Sequence, residues 1–310
     1  MFMGKVVALA GGVGAAKLLR GLVKVVSPQD LVIVGNIGDD IELYGLHISP
    51  DLDIIMYTLA GIVDEAKGWG IAGDTFHCLE MLGKLGFETW FKLGDRDLAI
   101  HIIRTKMLKE GYTLSQATAK LCKMLGVNAN LIPASDDPVR TKIQSGQLLL
   151  DFQEYFVKRR TVDIVTNVFF EGAEKAKPAP GVIEAITKAE RIIICPSNPI
   201  LSIAPILSIP AIRRALENSK APIVGVSPIV GGKAVKGPAD KILASMGFEA
   251  SPYGIAKFYG NILKHLIIDE IDREHKDRIQ KAGIKVTIAN ILMKSVEDAI
   301  NLARVVMEVE

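Results

Sequence analysis

The sequence predicts an α/β protein built on a parallel sheet. Three observations carry the prediction: short continuous apolar runs at 6–10, 31–34, 192–195 and 223–226, helix-period stretches between them, and glycine- or proline-rich turns where the runs end. Strands apolar at every position are buried on both faces, which requires helices on both sides of the sheet.

The first unit is the clearest. The run 6–10 feeds Gly11, Gly12, Val13 and Gly14, after which Leu18, Leu19, Leu22 and Val23 recur on one helical face. With no side chains at Gly11, Gly12 and Gly14, backbone N–H groups and the positive end of the following helix can approach an anion closely. Phosphate is the expected occupant; a turn serving only strand-to-helix packing is the plain alternative. Lys17 stands where a dinucleotide fingerprint wants Gly or Ala, and no acidic residue closes the second strand to hold a ribose. This disfavours a nicotinamide-dependent oxidoreductase, and the missing Gly-Lys-Ser/Thr ending disfavours a common ATPase loop.

The second strand ends in Asn36, Ile37, Gly38, Asp39 and Asp40, at the strand end where open α/β sheets bind ligands. Two carboxylates beside a phosphate call for a divalent cation between them; otherwise the segment is a solvated turn. Ser49, as N-cap, and Pro50 then open a helix whose first turn carries Asp51 and Asp53, either as site residues or as complements to the helix dipole. Lys92, Asp95, Arg96 and Asp97 crowd around Gly94, which suits a mixed anion and metal site or a self-neutralising helix start. His101 follows one turn later, as a ligand or a half-buried polar residue.

Residues 132–138 read as a turn, 140–143 and 147–151 as a hairpin, and the aromatics at 152–156 and 169–170 as core. The α/β rhythm then resumes. Two later strands run into Ser/Pro turns, gathering Ser197, Asn198, Ser227, Gly231 and Gly232 with Gly12 and Asn36 at one sheet edge. Lys233, Lys236 and Lys241, expected on a helix over 233–246, add local positive charge suited to a diphosphate. Strands near 266–269 and 284–288 and a helix over 295–306 close the chain.

The 310 residues are 49% hydrophobic, ample for a core, and the net charge of +2 implies no extended nucleic-acid or membrane surface. Cys78, Cys122 and Cys195 are scattered, which favours buried thiols in a reducing compartment. The most apolar region, 191–212, is broken by prolines and cannot be an uninterrupted membrane helix. The start of the chain reads as a strand and not a signal peptide, so a cytoplasmic location is expected.

Taken together and in order, the stretch 11–19, Asn36 with Asp39 and Asp40, the Ser49-Pro-Asp-Leu-Asp53 helix start, Gly68-Trp-Gly with Asp74-Thr-Phe76, the cluster 92–97, Ser135-Asp-Asp-Pro138, Pro196-Ser-Asn-Pro-Ile200 and Ser227-Pro-Ile-Val-Gly231 resemble the 2-phospho-L-lactate transferase family of coenzyme F420 biosynthesis. The resemblance implies a Rossmann-like three-layer αβα core with a mostly parallel sheet (1–44 and 175–310). Into it is set a large, mainly helical insertion with a small β patch (45–174), which would bind the deazaflavin. A homodimer is also implied. The implied reaction, with Mg²⁺, joins lactyl-2-diphospho-5′-guanosine to the deazaflavin Fo, giving GMP and F420-0; some relatives use an enolpyruvyl or glyceryl analogue. The family's Fo-contacting acidic and basic residues would fall on Asp53 and Lys92, beside Arg96. Val13 and Ala15 stand where relatives often carry hydroxyl residues, so only backbone contacts carry over there.

On this reading Asp39, Asp40, Asp51 and Asp53 supply the Mg²⁺ ligands, and one of Asp51, Asp53, Asp95 and Asp97 takes the proton. Lys92 or Arg96 steadies the phosphoryl group. Gly11, Gly12, Gly14, Lys17, Asn36, Ser197, Asn198, Ser227 and Gly231 hold the nucleotide. A nucleotide-sugar-binding regulatory protein is the rival; it should lack the charged clusters at 49–53 and 92–97.

Overall fold

In the computed structural model, which describes residues 4–309, seven strands form the central sheet. They are β1 (Val6–Ala10), β2 (Leu31–Gly35), β3 (Asn130–Pro133), β4 (Arg191–Ile194), β5 (Ile223–Val226), β6 (His265–Ile268) and β7 (Lys285–Ile288). Their order is β7-β6-β5-β4-β1-β2-β3 and every neighbouring pair is parallel. All residues of β1, β4, β5 and β6 are buried, as continuous apolar strands between two helical layers must be.

The helix Gly12–Val25 buries Leu18, Leu19 and Leu22 and packs between Pro50–Leu59 and the closing helix Val296–Glu308. A Cβ at Gly21 would lie 2.1 Å from the Ala299 carbonyl oxygen, so the closing helix rests directly on this backbone. Between β2 and β4 the chain adds the hairpin Ile41–Leu43/Leu46–Ile48 and the helices His77–Lys84, Asp95–Lys109 and Leu114–Met124. An antiparallel sheet of Leu148–Asp151, Arg140–Ser145 and Asn167–Glu171 completes the segment.

Four expectations change. Residues 130–133 are not part of a turn or an outlying patch: they pair with β2 in register from Val32–Asn130 to Gly35–Pro133, so the segment 45–174 supplies the sheet's edge strand. Pro133 is tolerated there because an edge strand leaves one side without ladder partners. Only Ala239–Ser245 of the expected 233–246 helix is helical; Gly231, Gly232 and Gly237 take φ of +57°, +76° and +73°, and the short pair Ile229–Val230/Lys233–Ala234 fills the space. Cys78 is exposed while Cys122 and Cys195 are buried. Ser49 occupies the N-cap position but makes no capping bond, because its hydroxyl donates to Asp40 Oδ2 instead.

Among the described residues no single helix is long and apolar enough to cross a membrane. The apolar segments Pro199–Leu207 and Pro210–Glu217 meet at 90°, and Ile200, Leu201, Ile203, Ile206 and Ile212 are buried.

Candidate active site

The strand order reverses at β1: the chain steps through β2 and β3 on one side and β4 to β7 on the other. Loops leaving β1 and β4 therefore diverge and open a crevice at their carboxyl ends. Gly11 N–H donates to Ser197 Oγ at 3.3 Å, and Gly12 N–H to Asp51 Oδ1 at 2.9 Å, so this crevice brings three chain segments together. A Cβ at Gly11 would sit 2.3 Å from Asp51 Oδ2, and one at Gly14 would sit 2.2 Å from the Pro196 carbonyl oxygen. These two glycines are thus required by packing, whatever else they bind. Of the four donors that a helix start leaves without intrahelical acceptors, Gly11 and Gly12 are used by the protein, which leaves Val13 and Gly14.

An acidic cluster faces the same turn. Asn36 is fully buried, and its amide donates to Asp39 Oδ1 (3.1 Å), Asp51 Oδ2 (2.9 Å) and the Leu201 carbonyl (3.3 Å) while accepting from Gly38 N–H (2.8 Å). Asp39, Asp40 and Asp51 are buried, which excludes the solvated-turn alternative. Burial, against the hydrogen bonds from Asn36, Gly12 and Ser202, lifts Asp51 to about 6. Burial and the Asp51 charge push Asp39 well above the usual carboxylate range. Asp40 Oδ2 accepts from Ser49 and lies 3.1 Å from His47 Nε2, while Oδ1 is buried without a partner. His47 also meets Glu42 at 2.6 Å; burial opposes its charged form, but Asp40 and Glu42 together raise its pKa.

Two residues beyond Asp51 in the same first turn, Asp53 is held at both oxygens by the guanidinium of Arg104, itself completely buried. His101 lies between them and Asp97, with Nε2 3.2 Å from Asp97 Oδ1 and Nδ1 3.7 Å from Asp53 Oδ2. Tyr57 donates to Asp97 Oδ1 at 2.6 Å. Asp53, Arg104, His101, Asp97 and Tyr57 thus pin the helix Asp95–Lys109 to Pro50–Leu59.

Asp95 points elsewhere. Its carboxylate accepts from Thr75 Oγ1 and from the N–H groups of His77 and Cys78, capping His77–Lys84, and these bonds lower its pKa. Asp74 returns the arrangement, accepting from the N–H groups of Arg96 and Asp97 at the start of Asp95–Lys109. Lys92 and Arg96 are exposed, and Arg96 donates to the Ala72 carbonyl at 3.2 Å.

Asn198 Oδ1 accepts from Ile200 and Leu201 N–H, whereas its buried Nδ2 has no partner. Ser227 closes a turn on Ile229, and Gly231 N–H is taken by both oxygens of Asp272. Lys17 Nζ donates to the Met293 carbonyl at 3.0 Å. Gly11, Gly12, Asn36, Asp39, Asp51 and Ser197 therefore join in one contact network; Asp53 and Asp97 form a second behind it, and Asp95, Ser227 and Gly231 lie outside both. Arg104, Tyr57, Ser202 and His47 escaped the sequence reading, since single polar residues within apolar or mixed stretches carry no pattern of their own. Among the described residues no three His, Cys, Asp or Glu side chains are arranged to hold a metal by themselves.

A family profile described as 2-phospho-L-lactate transferase CofD matches residues 6–305. The chain belongs to this family. A phosphoenolpyruvate transferase of Kitasatospora aureofaciens is 44% identical, with 97% of this chain and 96% of that protein covered. A 2-phospho-L-lactate transferase of Methanosarcina mazei is 40% identical, covering 96% and 98%. A solved structure, protein BH3568 from Bacillus halodurans, superposes with a TM-score of 0.64 at 18% identity, over 99% of this chain and 100% of that one. This last likeness supports the Rossmann-like α/β fold.

Proposed function

We propose that this transferase moves the 2-phospho-L-lactate group of lactyl-2-diphospho-5′-guanosine onto the terminal ribityl hydroxyl of the deazaflavin Fo, releasing GMP. The observation that carries the reading is the buried carboxylate of Asp51, lifted to about 6 and bonded to Gly12 N–H at the mouth of the glycine turn. A carboxylate of that strength is ionised at neutral pH and still basic enough to take a proton from an attacking alcohol.

The hydroxyl oxygen attacks the lactyl-bearing phosphorus, the bond from that phosphorus to the oxygen of GMP breaks, and the hydroxyl proton passes to Asp51 Oδ2. Asp53 keeps its distance from this step: Arg104 occupies both its oxygens, so its part is to hold Pro50–Leu59 in place. Lys92 and Arg96, exposed at the start of Asp95–Lys109, are available to the incoming deazaflavin. The remaining N–H groups of Val13 and Gly14, with Ser197 and Asn198, receive the nucleotide side of the donor.

The site also fits Mg²⁺. Asp40 Oδ1 is buried without a partner and Asp39 is crowded by Asp51, a surplus of negative charge that a cation relieves. Mg²⁺ is commonly held by one or two carboxylates plus substrate phosphates, so Asp39 and Asp40 suffice on the protein side. Bound there, it would screen the charge of the diphosphate.

Relatives at 42–44% identity named phosphoenolpyruvate transferase favour a second reading, in which the transferred group is the enolpyruvyl analogue. Incubating the protein with Mg²⁺, Fo and either guanosine donor, with GMP and the Fo product followed by chromatography and mass, separates the two. No product from either donor, or from the glyceryl analogue, would sink the transferase reading and leave the nucleotide-binding regulatory one. We further propose a cytoplasmic homodimer, tested by light scattering of the purified protein.

A further inference from the structure

A cleft beside the glycine turn carries Lys17, already a nucleotide-binding candidate, and is approached by Lys236; the contacts proposed for the donor leave both lysines unused. A cavity of about 110 Å³ opens between Gly12–Val25, Pro50–Leu59 and the 293–295 segment, lined by Val13, Lys17, Arg20, Thr58, Gly68 and Lys294 among others. Arg20 is neutralised by Glu65 at 2.9 Å. Lys17 has only the Met293 carbonyl, and no carboxylate lies within ion-pair distance of it among the described residues.

Lys236 leans over the mouth of this cleft. Its Nζ is so close to Gly68 that a Cβ there would meet it at 2.4 Å, with Val13 Cγ1 on the same side at 3.8 Å. The ammonium has no hydrogen-bond acceptor among the described residues, and burial followed by the charge of Lys17 lowers its pKa. Two like charges at the rim of one cleft, both exposed and neither paired with an acid among the described residues, repel each other in the protein alone. An anion between them converts that repulsion into two charge-assisted contacts. Lys236 sits between Gly232 and Gly237, both at positive φ, which gives its segment backbone freedom to adjust to a ligand.

We propose that Lys17 and Lys236 form a clamp for a phosphate group of the nucleotide donor, at the edge of the glycine turn. Gly68, at φ +72°, leaves open the space that the Lys236 ammonium occupies; a side chain there would be strained and would push the lysine tip aside. The identity of the ligand rests on the transferase reading; the anion site itself does not.

The test is calorimetric titration of the unmodified full chain, Lys236→Met, and Lys24→Met as a control at the far end of the same helix, with inorganic pyrophosphate, GDP and guanosine, alongside thermal melting without ligand. The clamp predicts that Lys236→Met weakens pyrophosphate and GDP tenfold or more, leaves guanosine unaffected, and melts no lower than wild type because a repulsion has been removed. Lys24→Met should bind like wild type. Equal pyrophosphate affinity in wild type and Lys236→Met, absence of pyrophosphate and GDP binding to wild type, or equal weakening by Lys24→Met would each overturn it. A lower melting temperature with pyrophosphate affinity retained would assign Lys236 a packing role instead. If no donor yields product yet pyrophosphate binding depends on Lys236, the transferase reading fails and the clamp stands.

Discussion

Replacing Arg104 by Met should destabilise the protein by about 3–5 kcal/mol, the usual result of stranding a buried charge. Arg104 is completely buried and Asp53 is 4% exposed, so water cannot take over the lost contacts. Met retains most of the apolar stem, which keeps the loss electrostatic and not a matter of packing. His101 Nδ1, 3.7 Å from Asp53 Oδ2, can compensate in part, which places the expected cost near the lower figure, about 3 kcal/mol. The double variant Asp53→Asn/Arg104→Met leaves neither charge stranded and should recover most of that loss, to within about 1–2 kcal/mol of wild type. Denaturant unfolding of the four proteins of this cycle, with unchanged slopes, measures both quantities. A cost below about 1 kcal/mol for the single variant, or a double variant no more stable than the single, would refute the argument that the pair is held by mutual neutralisation in a dry interior.

Asp51 is lifted to about 6 from an ordinary value of 3.8, so the folded chain binds its proton more tightly than the unfolded one. Stability contributed by this group is present at low pH and is lost as pH rises from about 4 through about 6. Asp51→Asn should therefore gain relative to wild type at pH 8 and lose that advantage toward pH 4, in parallel denaturation series. The same value predicts that kcat/KM of the wild type rises with pH through about 6, as the base ionises. Chelation with EDTA should abolish transfer and added Mg²⁺ restore it, with Asp39→Asn requiring more Mg²⁺ for half-maximal rate. Gly14→Ala places a methyl 2.2 Å from the Pro196 carbonyl oxygen and should cost about 1–3 kcal/mol, read from the unfolding midpoint. Asp95→Ala removes the cap of His77–Lys84 and should speed amide hydrogen exchange at His77 and Cys78.

What sequence reasoning could reach was set by how each residue meets its surroundings. β1, β4 and β5 are buried on both faces and read as unbroken apolar runs. β3 did not, because an edge strand of four residues begins with exposed Asn130 and ends in Pro133, the signature of a turn. The helix Asp95–Lys109 turns His101 and Arg104 inward and leaves Ile102 and Ile103 largely exposed, so its hydrophobic periodicity misleads. The carboxylates at 39, 40, 51 and 53 were legible as candidates from their positions after a strand and at a helix start. Their division into an open cluster at the glycine turn and a closed pair with Arg104 depends on a residue 51 positions further along the chain, which no local pattern encodes.

The pairing of β3 with β2 bears on how chimeras of this chain with its relatives can be built. A segment that hangs from a sheet by two linkers can be exchanged between relatives as a cassette. Here a swap of 45–174 would also replace the border strand of the sheet, which must then pair in register with Leu31–Gly35, and a deletion would bare that backbone to intermolecular pairing. Chimeras between the lactyl and enolpyruvyl lineages should therefore be cut inside the helical layers, or built by single substitutions around the crevice, with the sheet inherited whole from one parent.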